Sequence, residues 1–180
     1  DAIDRLRIQY GTSFCYPACT VGAHVSAVPN EQNGRVTPLN TRGITAMSGA
    51  FGYEMDLGRC TMEEKNEIRR QVKNYKIHYD LLHYGDYYRL SSPYQDTAYT
   101  AWEQVSPDQR EALVNVVFGC AGTAPLFCTL QLKGLDPALQ YQVDGTDSFY
   151  SGKALMNAGY PLPSVQGDYP ALQIYLRAAG

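Results

Sequence analysis

The chain has 180 residues, 44% hydrophobic and 18% charged, with a formal net charge of -3 and a pI near 5.6. This is one ordinary domain, or a small domain with part of another attached, and the missing basic field excludes nucleic acid as an expected partner. No run approaches the roughly 20 apolar residues of a membrane span, so no membrane contact is expected, and DAIDRLRIQ lacks the layout of a secretion signal.

A first residue of Asp rather than Met suits a piece cut from something longer. Asp1 to Tyr10 places Ile3, Leu6 and Tyr10 on one helical face, with Gly11 positioned to end the helix in a left-handed conformation. Val21, Ala23 and Val25 then alternate with Gly22, His24 and Ser26 as in a strand. A long polar stretch follows, in which Pro29, Asn30, Gln32, Asn33, Gly34, Pro38 and Asn40 are taken to exclude regular structure. Loops longer than about 12 residues are usually functional or disordered, and Val36 and Leu39 favour order here.

Thr61 and Glu64 form a capping-box pattern ahead of a helix expected to run to Tyr84, with Ile68, Val72, Tyr75, Tyr79 and Leu82 as its buried stripe and Gly85 as its stop. After Gly85 the runs AYTAWEQV, ALVNVVF, LFCTLQL, LQYQV and LQIYL alternate with SPDQRE, GLDPA and DGTDS. Short strands at this spacing signal an antiparallel sandwich or barrel. The expected division is 1–85 and 86–180, with Trp102 buried in the second part.

Candidate chemistry is sparse. Asp1 and Asp4 read as acidic residues favoured by a helix dipole, and Glu54 and Asp56 as solvated or capping groups. His24, near the C-terminal end of a strand, is a candidate site residue if that strand belongs to a (β/α) barrel. Arg35 and Arg42 flank the loop and suit a carboxylate or a sugar hydroxyl. The odd count of cysteines, Cys15, Cys19, Cys60, Cys120 and Cys128, fits reduced thiols and a cytoplasmic location. Cys15 and Cys19 are at most half a zinc site, so neither metal nor cofactor is expected. No G-x-S-x-G, phosphate-cradling glycine loop or H-E-x-x-H occurs.

DAIDRLRIQYGTSFCYP, GAHVSAVPNEQNGRVTPLNTRG, FGYEMDL and YSGKALMNAGYPLP resemble, in order, the C-terminal third of bacterial α-galactosidases of glycoside hydrolase family 36. One departure is Glu31, where that family usually has histidine after Pro-Asn. The resemblance implies the end of a (β/α)8 barrel over 1–85, including its last strand, followed by an all-β antiparallel sandwich over 86–180. It also implies a retaining enzyme releasing terminal α-linked galactose from oligosaccharides such as raffinose and melibiose. Both catalytic aspartates are expected upstream of Asp1, so no catalytic residue falls within the chain, which is expected to be inactive alone. The substrate-binding candidates are His24, Asn30, Glu31 and Arg35, and a homo-oligomer is expected. The competing readings are a carbohydrate-binding sandwich and a structural or assembly domain. Without neighbouring barrel strands, residues 1–60 are expected to pack on another chain or to be loosely ordered.

Overall fold

The computed structural model describes residues 1–95, 98–120 and 128–179. Asp1 caps α1 (Ala2–Thr12), its carboxylate accepting the N–H groups of Ile3 and Asp4. Gly11 does not stop this helix but lies within it, and Ser13 closes it in a right-handed conformation. β1 (Gly22–Ser26) follows, and then, after the loop, α2 (Leu39–Ala46) and β2 (Ala50–Glu54). Asn40 is thus helical and Pro38 precedes the helix. A proline just before a helix removes only an N–H that would have no partner in the first turn. The polar loop is correspondingly shorter than its composition suggests.

β1 and β2 pair in parallel, Gly22 opposite Ala50 through Ser26 opposite Glu54. The expected lone last strand is therefore one of two, joined through α2 as a β-α-β unit. The second strand escapes sequence reading because AFGYE shows weak alternation and holds a glycine. On one face Ala23 and Val25 pack with Ala46, Leu39, Phe51 and Tyr53.

α3 (Met62–Ile77) opens with the expected reciprocal capping box between Thr61 and Glu64. The expected single helix breaks at His78, after which α4 (Tyr79–Tyr84) turns Leu81 and Leu82 onto Leu113. Tyr79 of the predicted stripe is consequently exposed. Gly85 acts through space rather than handedness, because a Cβ there would lie 2.4 Å from the Leu81 carbonyl oxygen.

The remaining elements are β3 (Asp86–Ser91), β4 (Tyr99–Val105), β5 (Glu111–Phe118), β6 (Thr129–Leu130), β7 (Gln140–Val143), β8 (Phe149–Ser151), α5 (Gly152–Asn157), β9 (Tyr160–Pro161) and β10 (Ala171–Ala178). Leu126 and Phe127 of the expected LFCTLQL strand lie outside the described residues. Six strands form one large sheet in the order β3-β4-β5-β10-β7-β8, all pairs antiparallel, and β6 and β9 pair separately. ALVNVVF reads as an almost unbroken apolar run because β5 is buried on both faces. On one face Ala112, Val114, Val116 and Phe118 join Leu130, Leu155 and Leu162. The opposite face receives the helices: Trp102, Val117 and Ala171 pack with Leu6, Ile44 and Ile3. Trp102, 3% exposed, is thus buried as expected, but in the seam between helices and sheet. Ile3, Leu6, Ala23 and Val25 find their cover within this chain, contrary to the expectation for residues 1–60, while Ile8 on α1 is 61% exposed.

Glu103 is fully buried on the other face of β4. The Lys133 backbone N–H donates to its Oε1 at 2.6 Å, while Oε2 has no partner among the described residues. Burial raises its pKa to about 8, a rise that Lys133 partly offsets. Between the ordinary carboxylate value and about pH 8 the folded chain holds a proton that the unfolded chain has released. Stability should therefore fall as pH rises through this window, by up to about 1.4 kcal/mol per pH unit. Denaturant titrations across that range should show this slope and its loss in Glu103→Gln. In a second test, Leu6→Ala should cost about 2–5 kcal/mol and shift the emission of Trp102, the chain's one tryptophan, to the red as α1 loosens.

Candidate functional site

The N-terminus of α1, the ends of β1 and β2, and the loop over 27–38 meet at one edge of the molecule. This follows from topology: parallel strands end together, and a helix preceding one of them begins at that same end. Asp1 and Asp4 are thereby brought beneath the loop.

The loop is wound around Asn30, whose Oδ1 accepts the N–H groups of Gln32 at 3.1 Å and Asn33 at 3.3 Å. Backbone bonds from Gly34 to the Asn30 carbonyl and from Asn30 to the Arg35 carbonyl close the turn. Gly34 sits at φ +69°, a conformation that glycine adopts without steric cost. Asn33 donates from Nδ2 to Asp4 Oδ2 at 3.1 Å. Arg35 pairs with the Asp1 carboxylate, lies 3.6 Å from that of Asp4, and stands 5.7 Å from the centroid of the Tyr169 ring. The buried Arg42 ties the loop's two feet together, donating to the Ser26 carbonyl at 2.8 Å and the Thr37 carbonyl at 3.2 Å. Its burial lowers the guanidinium pKa, while the charge of Glu64 acts in the opposite direction.

His24 lies on the face of β1 turned away from Ala23 and Val25. Its Nε2 is 2.6 Å from Glu54 Oε2 and 3.3 Å from Arg5 Nη2. Arginine only donates, so one nitrogen cannot serve both neighbours with hydrogen bonds at once. The shorter contact fits Nε2–H donating to Glu54. Arg5 is separately anchored to the Gly22 carbonyl at 3.0 Å; burial lowers its pKa and Glu54 raises it.

The structure therefore gathers Asn30 and Arg35 in one network and places His24 in another, with Arg5 and Glu54. Glu31 is exposed on the loop. Arg5, Tyr169 and the partnership of Glu54 with His24 were missed by sequence reading. The pairing of His24 with Gly52 in the ladder sets Glu54 two residues further along the same face, a relation invisible until β2 is recognised. Asp1 is committed to capping and to Arg35, with a side chain 4% exposed, as the helix-dipole reading implies. Among the described residues no cluster of His, Cys, Asp or Glu could hold a metal ion, and all five cysteines are free thiols. In this arrangement the carboxylates of Asp1, Asp4 and Glu54 are each already engaged, with backbone N–H groups, Asn33, Arg35 or His24.

Residues 1–85 match the melibiase family and residues 99–176 the glycosyl hydrolase family 36 C-terminal domain. The chain is 50% identical over 173 residues to the bifunctional α-galactosidase/sucrose kinase AgaSK of Mediterraneibacter gnavus, covering 96% of this chain and 18% of that protein. It is 46% identical over 178 residues to α-galactosidase AgaA of Geobacillus stearothermophilus, covering 99% and 24%. A crystal structure of an AgaA variant in complex with raffinose superimposes with a TM-score of 0.96 at 45% identity, over 99% of this chain and 25% of that one. The chain belongs to glycoside hydrolase family 36 and aligns with the C-terminal part of its much longer members. It spans about a fifth to a quarter of the length of the curated relatives it matches.

Removing the guanidinium in Arg35→Ala leaves the Asp1 carboxylate buried without its ion-pair partner. That change should cost about 1–3 kcal/mol and speed amide exchange over 30–37. Glu31→Ala, at an exposed position, should stay within about 0.5 kcal/mol. Hydrogen exchange and denaturant titration of the two variants make the comparison.

Proposed function

We propose that this chain is the C-terminal part of a retaining α-galactosidase that releases terminal α-linked galactose from oligosaccharides such as raffinose. In this reading 1–85 closes a (β/α)8 barrel, β1 and β2 being its last two strands, and 86–180 is the sandwich domain packed against it. The observation that carries the reading is the open side of the β1–β2 pair. Gly22 and Gly52 face space in which an added Cβ would meet nothing within 4 Å, and His24, Glu54 and Ser26 share that face. A closed barrel turns such a face inward and keeps its site at the C-terminal ends of the strands. The loop over 27–38 and its Arg35 then form part of the rim over the sugar, with His24 and Glu54 below.

The AgaA complex with raffinose supports the substrate class. Five free thiols suit a cytoplasmic enzyme, and its exposed apolar surfaces suit assembly from several identical chains. In this reading the catalytic aspartates precede Asp1, and the residues described here orient sugar hydroxyls and exclude water.

The test is turnover of an aryl α-galactoside. The chain alone should hydrolyse none at any pH, because retaining hydrolysis needs two carboxylates about 5–5.5 Å apart, and restoring its native upstream sequence should give activity. Hydrolysis by the chain alone that disappears in Asp56→Asn would reassign the chemistry. In the active protein, Glu31→Ala should change kcat/KM while leaving the melting temperature nearly constant.

A further inference from the structure

Helices α2 and α3 do not seal against the large sheet along their whole length. Between them and β5, β10 and the end of β7 runs a groove of about 540 Å³, within the roughly 300–1,000 Å³ of small-molecule sites. It lies on the side of α2 that faces β10, while His24 and Arg35 lie beyond β1 on the other side. Ile44 and Leu113 contribute apolar floor.

Four amides cross the wall in one ordered ladder. Asn74 Nδ2 donates to Gln173 Oε1, Gln173 Nε2 donates to Asn115 Oδ1 at 2.8 Å, and Asn115 Nδ2 donates to Gln104 Oε1 at 3.3 Å. Asn115 and Gln104 are each 1% exposed, so the inner half of the ladder is locked. All three donations run inward, which leaves the Asn74 carbonyl oxygen as the outermost acceptor. Asn40 is similarly held, donating to the Ala171 carbonyl at 2.9 Å and accepting from Arg70 at 3.2 Å. The rings of His78 and Tyr175 stand 4.5 Å apart and offer an aromatic face at the groove's far end.

The charges select the ligand class. Arg70 is bound to Glu67 at 2.6 and 2.8 Å, burial lowers the His78 pKa, and Asp144 lines the groove. Among the described residues lining the groove, the one Arg or Lys is thus already paired. A peptide strand has no edge to extend, because β10 is paired on both sides, with β5 and β7. Fixed neutral amides beside aromatic rings suit a neutral ring bearing many hydroxyls, since prepaid side-chain order lowers the cost of binding.

We propose that this groove is a second saccharide-binding site, taking a neutral mono- to trisaccharide through Asn40, Asn74 and Gln173 with a sugar face on His78 and Tyr175. The proposal does not depend on hydrolysis by this protein. Its test is an amide-resolved NMR titration of the unmodified chain with galactose and with raffinose. Saturable shifts at Asn40, Arg70, Asn74, His78 and Gln173 are expected, weakened about tenfold or more in Asn74→Ala. Asn74 stands at the outer end of the ladder, so its loss leaves the locked inner amides in place, and the shift map of the unmodified chain is decisive if the variant does not fold. Three results overturn the proposal: no saturable shift with either sugar, shifts confined to His24 through Arg35, or self-association of the chain through the groove residues in place of sugar binding.

Discussion

The placement of α1 and α2, and through them of the parallel pair, rests on one buried contact, the packing of Leu6 and Ile44 on Trp102, Val117 and Ala171. A two-stranded sheet is not stable by itself in water, and β1 with β2 is such a sheet. α2 is apolar on two sides, carrying Ala46 toward Ala23 and Val25 and Ile44 toward Trp102. The six-stranded sheet therefore acts as the foundation on which the parallel pair is held. Two side-chain bonds set where α2 sits: Asn40 donates to the Ala171 carbonyl and Thr41 to the Tyr169 carbonyl. Buried polar groups are costly unless paired, so these bonds discriminate against sliding of the helix.

The same foundation positions the candidate rim. Tyr169 lies just before β10, at φ +55°, and its ring stands beside Arg35. Arg35 in turn holds the cap of α1 through Asp1. The sheet, the loop and the first helix therefore share one electrostatic junction. Strain at a non-glycine residue persists where its surroundings over-determine it, and here the backbone N–H of Tyr169 is bound to Gly119 while its carbonyl is bound to Thr41. The loop and Arg35 are in this way tied to the β part through Tyr169.

The two faces of the helical layer have different physical characters. Toward β10, amides are locked into a ladder, and the groove they border also holds Asp144 and the paired Arg70. Away from it, the open face of β1 and β2 carries ionic groups in contact, Arg5, His24 and Glu54, beside glycines that keep the surface flat. The chain covers about a quarter of the length of α-galactosidase AgaA, and in the barrel proposed above this face would be completed by other elements.

Local features were legible in the sequence. The capping box at Thr61, the alternation through Ala23 and Val25, and the apolar run of β5 each depend on residues a few positions apart. Blocks in family order carried the rest of the identification. The break at His78, the helix beginning at Leu39 and the strand at Ala50 were not legible, since each is decided by what it packs against. The alternation of β4 placed Trp102 inside without telling which side of the sheet it faced. The sequence by itself determined the capped start of α3, the alternation of β1, the apolar run of β5 and the family. Only the tertiary structure decided that α1 and α2 cover Trp102, that His24 meets Glu54 and that Arg35 meets Asp1, because those contacts join residues 30 or more positions apart, where spacing along the chain carries no geometric information.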